Sequence, residues 1–78
     1  MIKKQLKLII TFSTTTEAMA MEHMCKTKAL DGRLIPVPKT ITAGCGLAWC
    51  AKTESRELLD AEMKAHQIQA EGFYECMV

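Results

Sequence analysis

Four cysteines, Cys25, Cys45, Cys50 and Cys76, are the residues of this sequence best suited to covalent chemistry. Cys45 stands apart by its neighbours, because Gly44 and Gly46 flank it inside the run Arg33 to Cys50, which reads as a hairpin with that thiol at its tip. Glycines on both sides let backbone amides come close to a thiolate and to whatever it holds, in the manner of an anion-binding nest. Gly44-Cys45-Gly46 reads equally as a tight turn with a small residue in it. No two cysteines have the two-residue spacing of a redox dithiol or zinc knuckle; four residues lie between Cys45 and Cys50. His23 and His66 have no partner at metal-ligand spacing, so neither a metal site nor a cofactor is expected.

Length and charge set the frame for that thiol. The 78 residues read as one domain over 1–78. A chain of this size buries only about 60–65% of its unfolded surface, so association or cross-linking is a natural support. Ten Lys and Arg stand against nine Asp and Glu, a formal charge of +1 that supplies no field for nucleic acid. The apolar run Leu8 to Ile10 is too short for a secretory core or membrane span, so a cytoplasmic protein with reduced thiols and no membrane partner is expected.

The elements that must position Cys45 follow from periodicity. Leu6 to Phe12 alternates, with Leu6, Leu8, Ile10 and Phe12 on one face and Lys7, Ile9 and Thr11 on the other, which predicts a half-buried strand. Thr14 precedes Glu17 by three residues, the spacing of a reciprocal helix cap, and Ala18, Met21, Met24 and Cys25 form an apolar stripe up to a helix end near Ala29. Asp31-Gly32 supplies a turn. Arg33 to Val37 is a short strand whose Pro36, with Pro38 beyond it, places it at a sheet edge. Leu47 to Lys52 is a strand with Leu47, Trp49 and Ala51 on one side. A second helix opens at Thr53-Glu54-Ser55 and runs to about Gln67, with Leu58, Leu59, Met63 and His66 as its buried side. Ala70 to Val78 is the last strand. This order predicts an α+β, ferredoxin-like βαββαβ sandwich: a four-stranded antiparallel sheet with two helices on one face.

That topology bears on the thiol. The first helix start and the loop carrying Cys45 are expected at one end of the sheet, where the free amides of Thr15 to Glu17 and the positive end of the helix dipole favour thiolate over thiol. Such surroundings move a cysteine pKa from about 8.5 into the ~3.5–7.5 range and also suit a small anion. Thr14, Thr15, Thr16, Gly44 and Gly46 are therefore the expected anion- or substrate-binding set around Cys45.

Three segments carry a resemblance. Phe12-Ser13-Thr14-Thr15-Thr16-Glu17-Ala18, Arg33-Leu34-Ile35-Pro36-Val37-Pro38 and Cys45-Gly46-Leu47-Ala48 resemble the small bacterial proteins described as selenium/sulfur carrier-like. The likeness spans nearly the whole chain. It implies a carrier, not a complete enzyme, in which Cys45 holds sulfur or selenium as a persulfide or selenosulfide, with donor and acceptor proteins as partners. Lys39 stands where an arginine is expected and Cys50 where a larger or basic residue is more usual; the Cys-Pro-x-Pro motif of better understood small sulfur carriers is absent. The rival reading is a non-catalytic ligand-binding or regulatory module whose Cys45 loop only shapes a surface.

The remaining residues read as scaffold or contact surface. Cys50 reads as a packed strand residue or a resolving thiol, and Cys25 and Cys76 as core. Arg33 is expected at the far end from Cys45. Ile9, Ala48, Cys50, Phe73 and Met77 are expected on a sheet face without a helix, a candidate homodimer surface.

Overall fold

Alternation of apolar and polar residues, interrupted by two helical stretches, produces the expected layers. A computed structural model describes residues 5–38, 41 and 46–77. The elements are β1 (Leu6–Thr11), α1 (Thr15–Lys28), β2 (Arg33–Pro36), β3 (Leu47–Lys52), a 3-10 turn (Thr53–Ser55), α2 (Arg56–Ala65) and β4 (Gly72–Met77). The four strands form one antiparallel sheet in the order β2-β3-β1-β4. Each helix connects strands separated by one other strand, as the ferredoxin-like pattern requires.

The main core lies between the sheet and the helices. Leu8, Ile10 and Phe12 pack there with Trp49 and Ala51, against Ala18, Met21, Met24 and Cys25 of α1 and Leu59 and Met63 of α2. Burying each large apolar side chain contributes roughly 1.5–3 kcal/mol, which makes this layer the main source of stability. Helix α1 has Glu17 in its first turn and Lys26 and Lys28 in its last, charges of the signs that complement its dipole.

Its C-terminus closes on a left-handed residue that is not glycine. The left-handed residue is Ala29, at φ 54 and ψ 42, and the Leu30 amide donates to the Cys25 carbonyl at 2.9 Å. Gly32 also has a positive φ, 119, but it serves the turn into β2. An alanine in this conformation costs about 1–2 kcal/mol that glycine avoids, partly offset by glycine's freer unfolded chain. Ala29→Gly should therefore raise stability by about 0.5–1 kcal/mol, read as a thermal midpoint higher by a few degrees.

Helix α2 is shorter and narrower in its contact than its sequence suggests. The 3-10 turn takes the first three residues of the expected helix. Only Leu59 and Met63, one turn apart, are buried, while Leu58 is 52% exposed. Leu58 precedes that stripe by about 100° of helical rotation, which turns it away from the sheet. His66 caps the C-terminus with an exposed ring instead of entering the core, its Nε2 3.9 Å from Glu62 Oε1. Ile68, in the connection to β4, fills the core position next along the chain.

The other sheet face carries a second, smaller core. Ile9, Ala48 and Cys50 are buried there with Ile41, flanked by Ile35, Val37 and Cys76. Val37 and Ile41 come from the β2–β3 connection, so the chain itself covers much of the face expected to lie bare. The phase of β4 is also corrected. Phe73 lies on the helix side, with the Arg56 guanidinium 5.2 Å above its ring, and Met77 shares that side opposite Leu6. Tyr74 and Cys76 point to the helix-free side instead, because Tyr74 pairs with Ile9 and Cys76 with Lys7.

Candidate functional site

Thr14 begins the site as a helix cap. Its backbone is extended, at φ −137 and ψ 154, and its Oγ1 accepts the Glu17 amide at 3.2 Å. The reciprocal half of the expected cap does not form. Glu17 Oε2 instead accepts the Gln69 amide at 2.9 Å, because the α2–β4 connection crosses the helix start and brings a donor there. Thr15 and Thr16 follow as the first two exposed residues of the helix, so their amides have no intrahelical acceptor and sit at the positive end of the dipole.

The sheet register brings the hairpin to the same end. Thr11, the last residue of β1, lies opposite Ala48, and Pro36, the last of β2, lies opposite Leu47. Gly46 closes the base of the loop, its carbonyl accepting the Val37 amide at 3.0 Å. Its φ is 75, and a Cβ there would meet open space, so the residue is exposed and conformationally special. Gly46 and the Thr14–Thr16 segment thus share one end of the fold. Gly44 and Cys45 lie outside the described residues, as do Lys39, Thr40, Thr42 and Ala43. Arg33 pairs with Cys50 and lies at the opposite end of β2 from Pro36.

The described thiols divide by burial. Cys25 is 2% exposed in the main core; burial, reinforced by the charge of Asp31, pushes its pKa from 9.0 up to about 11. Cys50, in the second core, is also pushed up by burial, with Lys7 and Arg33 pulling the other way and Asp31 adding to the rise. Both thiols stay protonated at neutral pH and are poor nucleophiles. Cys76, expected in the core, is half-buried on the helix-free side.

The Cys25 shift has a measurable consequence. When the unfolded thiol ionises near 9.0 and the folded one near 11, the folded state holds the extra proton between them, so stability is lost as pH rises through that window. Urea midpoints of wild type should fall more steeply over that range than those of Cys25→Ala. Equal slopes would contradict the buried, neutral thiol.

Two features of the site escaped the sequence reading. Ile41, between Thr40 and Thr42, and Ile68, between Gln67 and Gln69, are single apolar residues in polar connections. Each is nonetheless buried to 8% exposure. An isolated β-branched residue in a loop is the signal that marks them, and Ile41 is what ties the Cys45-bearing connection to the sheet.

Apart from this end, a groove of about 320 Å³ runs between the helices, lined by residues that include Ala20, His23, Met24, Lys28, His66 and Ile68. Among the described residues no helix is long and apolar enough to cross a membrane.

No curated protein and no solved structure matches the chain. A family model does, the one described as "Putative Se/S carrier protein-like", and it covers residues 7–75, which include every described strand, nearly in full, and both helices. The chain belongs to the Se/S carrier protein-like family.

Proposed function

We propose that the protein carries sulfur or selenium on Cys45, with the amides of Thr15, Thr16, Gly44 and Gly46 favouring the anionic forms and Thr14 holding the helix start in place. The observation that supports this most is the shared end of the fold: the β1–β3 and β2–β3 registers leave the capped start of α1 and Gly46, next in sequence to Cys45, at one end of the sheet. The division of the other thiols supports it too, since burial keeps Cys25 and Cys50 neutral.

The transfer needs no acid/base pair. The Cys45 thiolate attacks the outer sulfur of a donor persulfide, R–S–SH; the Cys45–sulfur bond forms, the donor S–S bond breaks, and R–S⁻ leaves. The product is Cys45–S–SH, and a thiolate on an acceptor reverses the step. Selenium in the outer position follows the same course. The test is the intact mass after incubation with a low-molecular-weight persulfide: one added sulfur on wild type and none on Cys45→Ser.

A second reading, a ligand-binding module, draws on the apolar groove between the helices. It predicts a Cys45 that titrates as a free peptide thiol and whose alkylation leaves ligand binding unchanged.

A further inference from the structure

The two edges of the sheet are built differently. β2 is four residues long, begins at Arg33, ends at Pro36 and is followed by Pro38. Prolines without amide donors and a charge at the strand start discourage a further strand from adding there. β4 carries none of these devices. Its six residues pair with β1 in one unbroken register from Gly72 opposite Thr11 to Met77 opposite Leu6, and they include no proline, lysine or arginine. About half of an edge strand's backbone donors and acceptors point away from its neighbour, and among the described residues no strand meets those of β4. Large apolar side chains are exposed along the same edge strand: Tyr74 is 42% exposed and Met77 58%.

We propose that β4 is a dimerisation strand, pairing antiparallel with the β4 of a second copy so that two four-stranded sheets become one continuous sheet. A twofold axis normal to the sheet keeps both pairs of helices on one side and requires facing residues to have the same orientation. Two registers use the middle of the strand. Centring on Glu75 sets two carboxylates directly opposite each other, which destabilises the pair. Centring on Tyr74 sets the two Tyr74 residues opposite each other at the axis, with Glu75 beside Phe73 and Cys76 beside Gly72, over which each Tyr74 ring lies. In that register the strand is its own complement, its single charge facing an aromatic ring and never itself. A second copy is therefore the occupant, and a chain this small gains burial by the association.

Sedimentation equilibrium from micromolar to submillimolar concentration tests the proposal. Wild type is expected as a dimer. Tyr74→Lys, which sets two ammonium groups at the axis, is expected to weaken the dimer about 100-fold or more with an unchanged circular dichroism spectrum. Register is tested by mild oxidation in a Cys45→Ser, Cys76→Ser background: Tyr74→Cys forms a covalent dimer and Glu75→Cys does not. A wild type that stays monomeric, a Tyr74→Lys dimer of undiminished strength, or cross-linking through Glu75→Cys alone would overturn the proposal. None of these outcomes bears on the Cys45 reading, because the readout is association between copies and not adduct formation.

Discussion

Gly32→Ala is expected to lower the unfolding free energy by about 2–5 kcal/mol, the sum of a strained backbone and an overpacked contact. Gly32 has a φ of 119, which alanine seldom adopts. A Cβ built there would run into Trp49 Nε1 and the Cys50 carbonyl oxygen, and neither is the loose end of a flexible side chain. The Trp49 indole is fixed because its Nε1 donates to the Asp31 carbonyl at 3.1 Å. The backbone beside it is fixed because the Lys52 amide donates to Asp31 Oδ2 at 2.8 Å. Asp31-Gly32 thus clamps the exit of α1 onto β3, and a methyl group inserted there must push the clamp open. Urea titration reads the effect. A loss below about 0.5 kcal/mol would mean that the close approach is not kept in solution.

The clamp also shows what a sequence carries and what it does not. Asp31-Gly32 is legible as a turn, because that residue pair supplies turn chemistry wherever it falls. That the turn rests on Trp49 is not legible, since the contact joins residues 18 apart in the chain. The same division holds across the fold. The α1 stripe of Ala18, Met21, Met24 and Cys25 is local and strongly periodic, and it emerges residue for residue. β4 is harder, because Phe73 and Tyr74 are adjacent aromatics and either phase buries a ring; only the pairing of Tyr74 with Ile9 decides between them. Leu58 and Leu59 pose the same ambiguity on α2, and the 3-10 turn ahead of the helix sets which one faces in.

The described part of the candidate site was legible to a similar depth. Thr14 reads as a cap from its spacing to Glu17, but the partner of the Glu17 carboxylate, the Gln69 amide, is 52 residues away and set by the α2–β4 connection. The covering of Ile9 by Ile41 and Val37 is likewise tertiary, and it changes the meaning of the helix-free face from a bare surface to a small second core. That the helix start and Gly46 lie at one end was nonetheless legible, because strand order alone determines which strand ends share an end of a sheet.

Persulfide formation confined to a single thiol is the second expected result. Four cysteines compete for it, and the structure ranks two of them low: Cys25, with its pKa pushed up to about 11, and Cys50, raised by burial among Ile9, Ala48 and Ile41. At neutral pH a thiol whose pKa lies at about 11 is ionised to roughly one part in ten thousand, so its attack on a sulfur donor is slow. Replacing Cys25, Cys50 and Cys76 together by serine should therefore leave adduct formation in place, provided the triple variant retains its helical spectrum. Replacing Cys45 alone should remove it, a loss of about 100-fold or more in labelling rate relative to wild type, set by the remaining thiolate fraction.

The most direct measurement is site-resolved mass spectrometry of the folded protein after brief exposure to a low-molecular-weight persulfide at neutral pH, followed by addition of an acceptor thiol. One added sulfur confined to Cys45, lost again to the acceptor, is the expected result, with no added sulfur on Cys45→Ser. An adduct spread over Cys76 and the other thiols, or one that forms equally on Cys45→Ser, would contradict it.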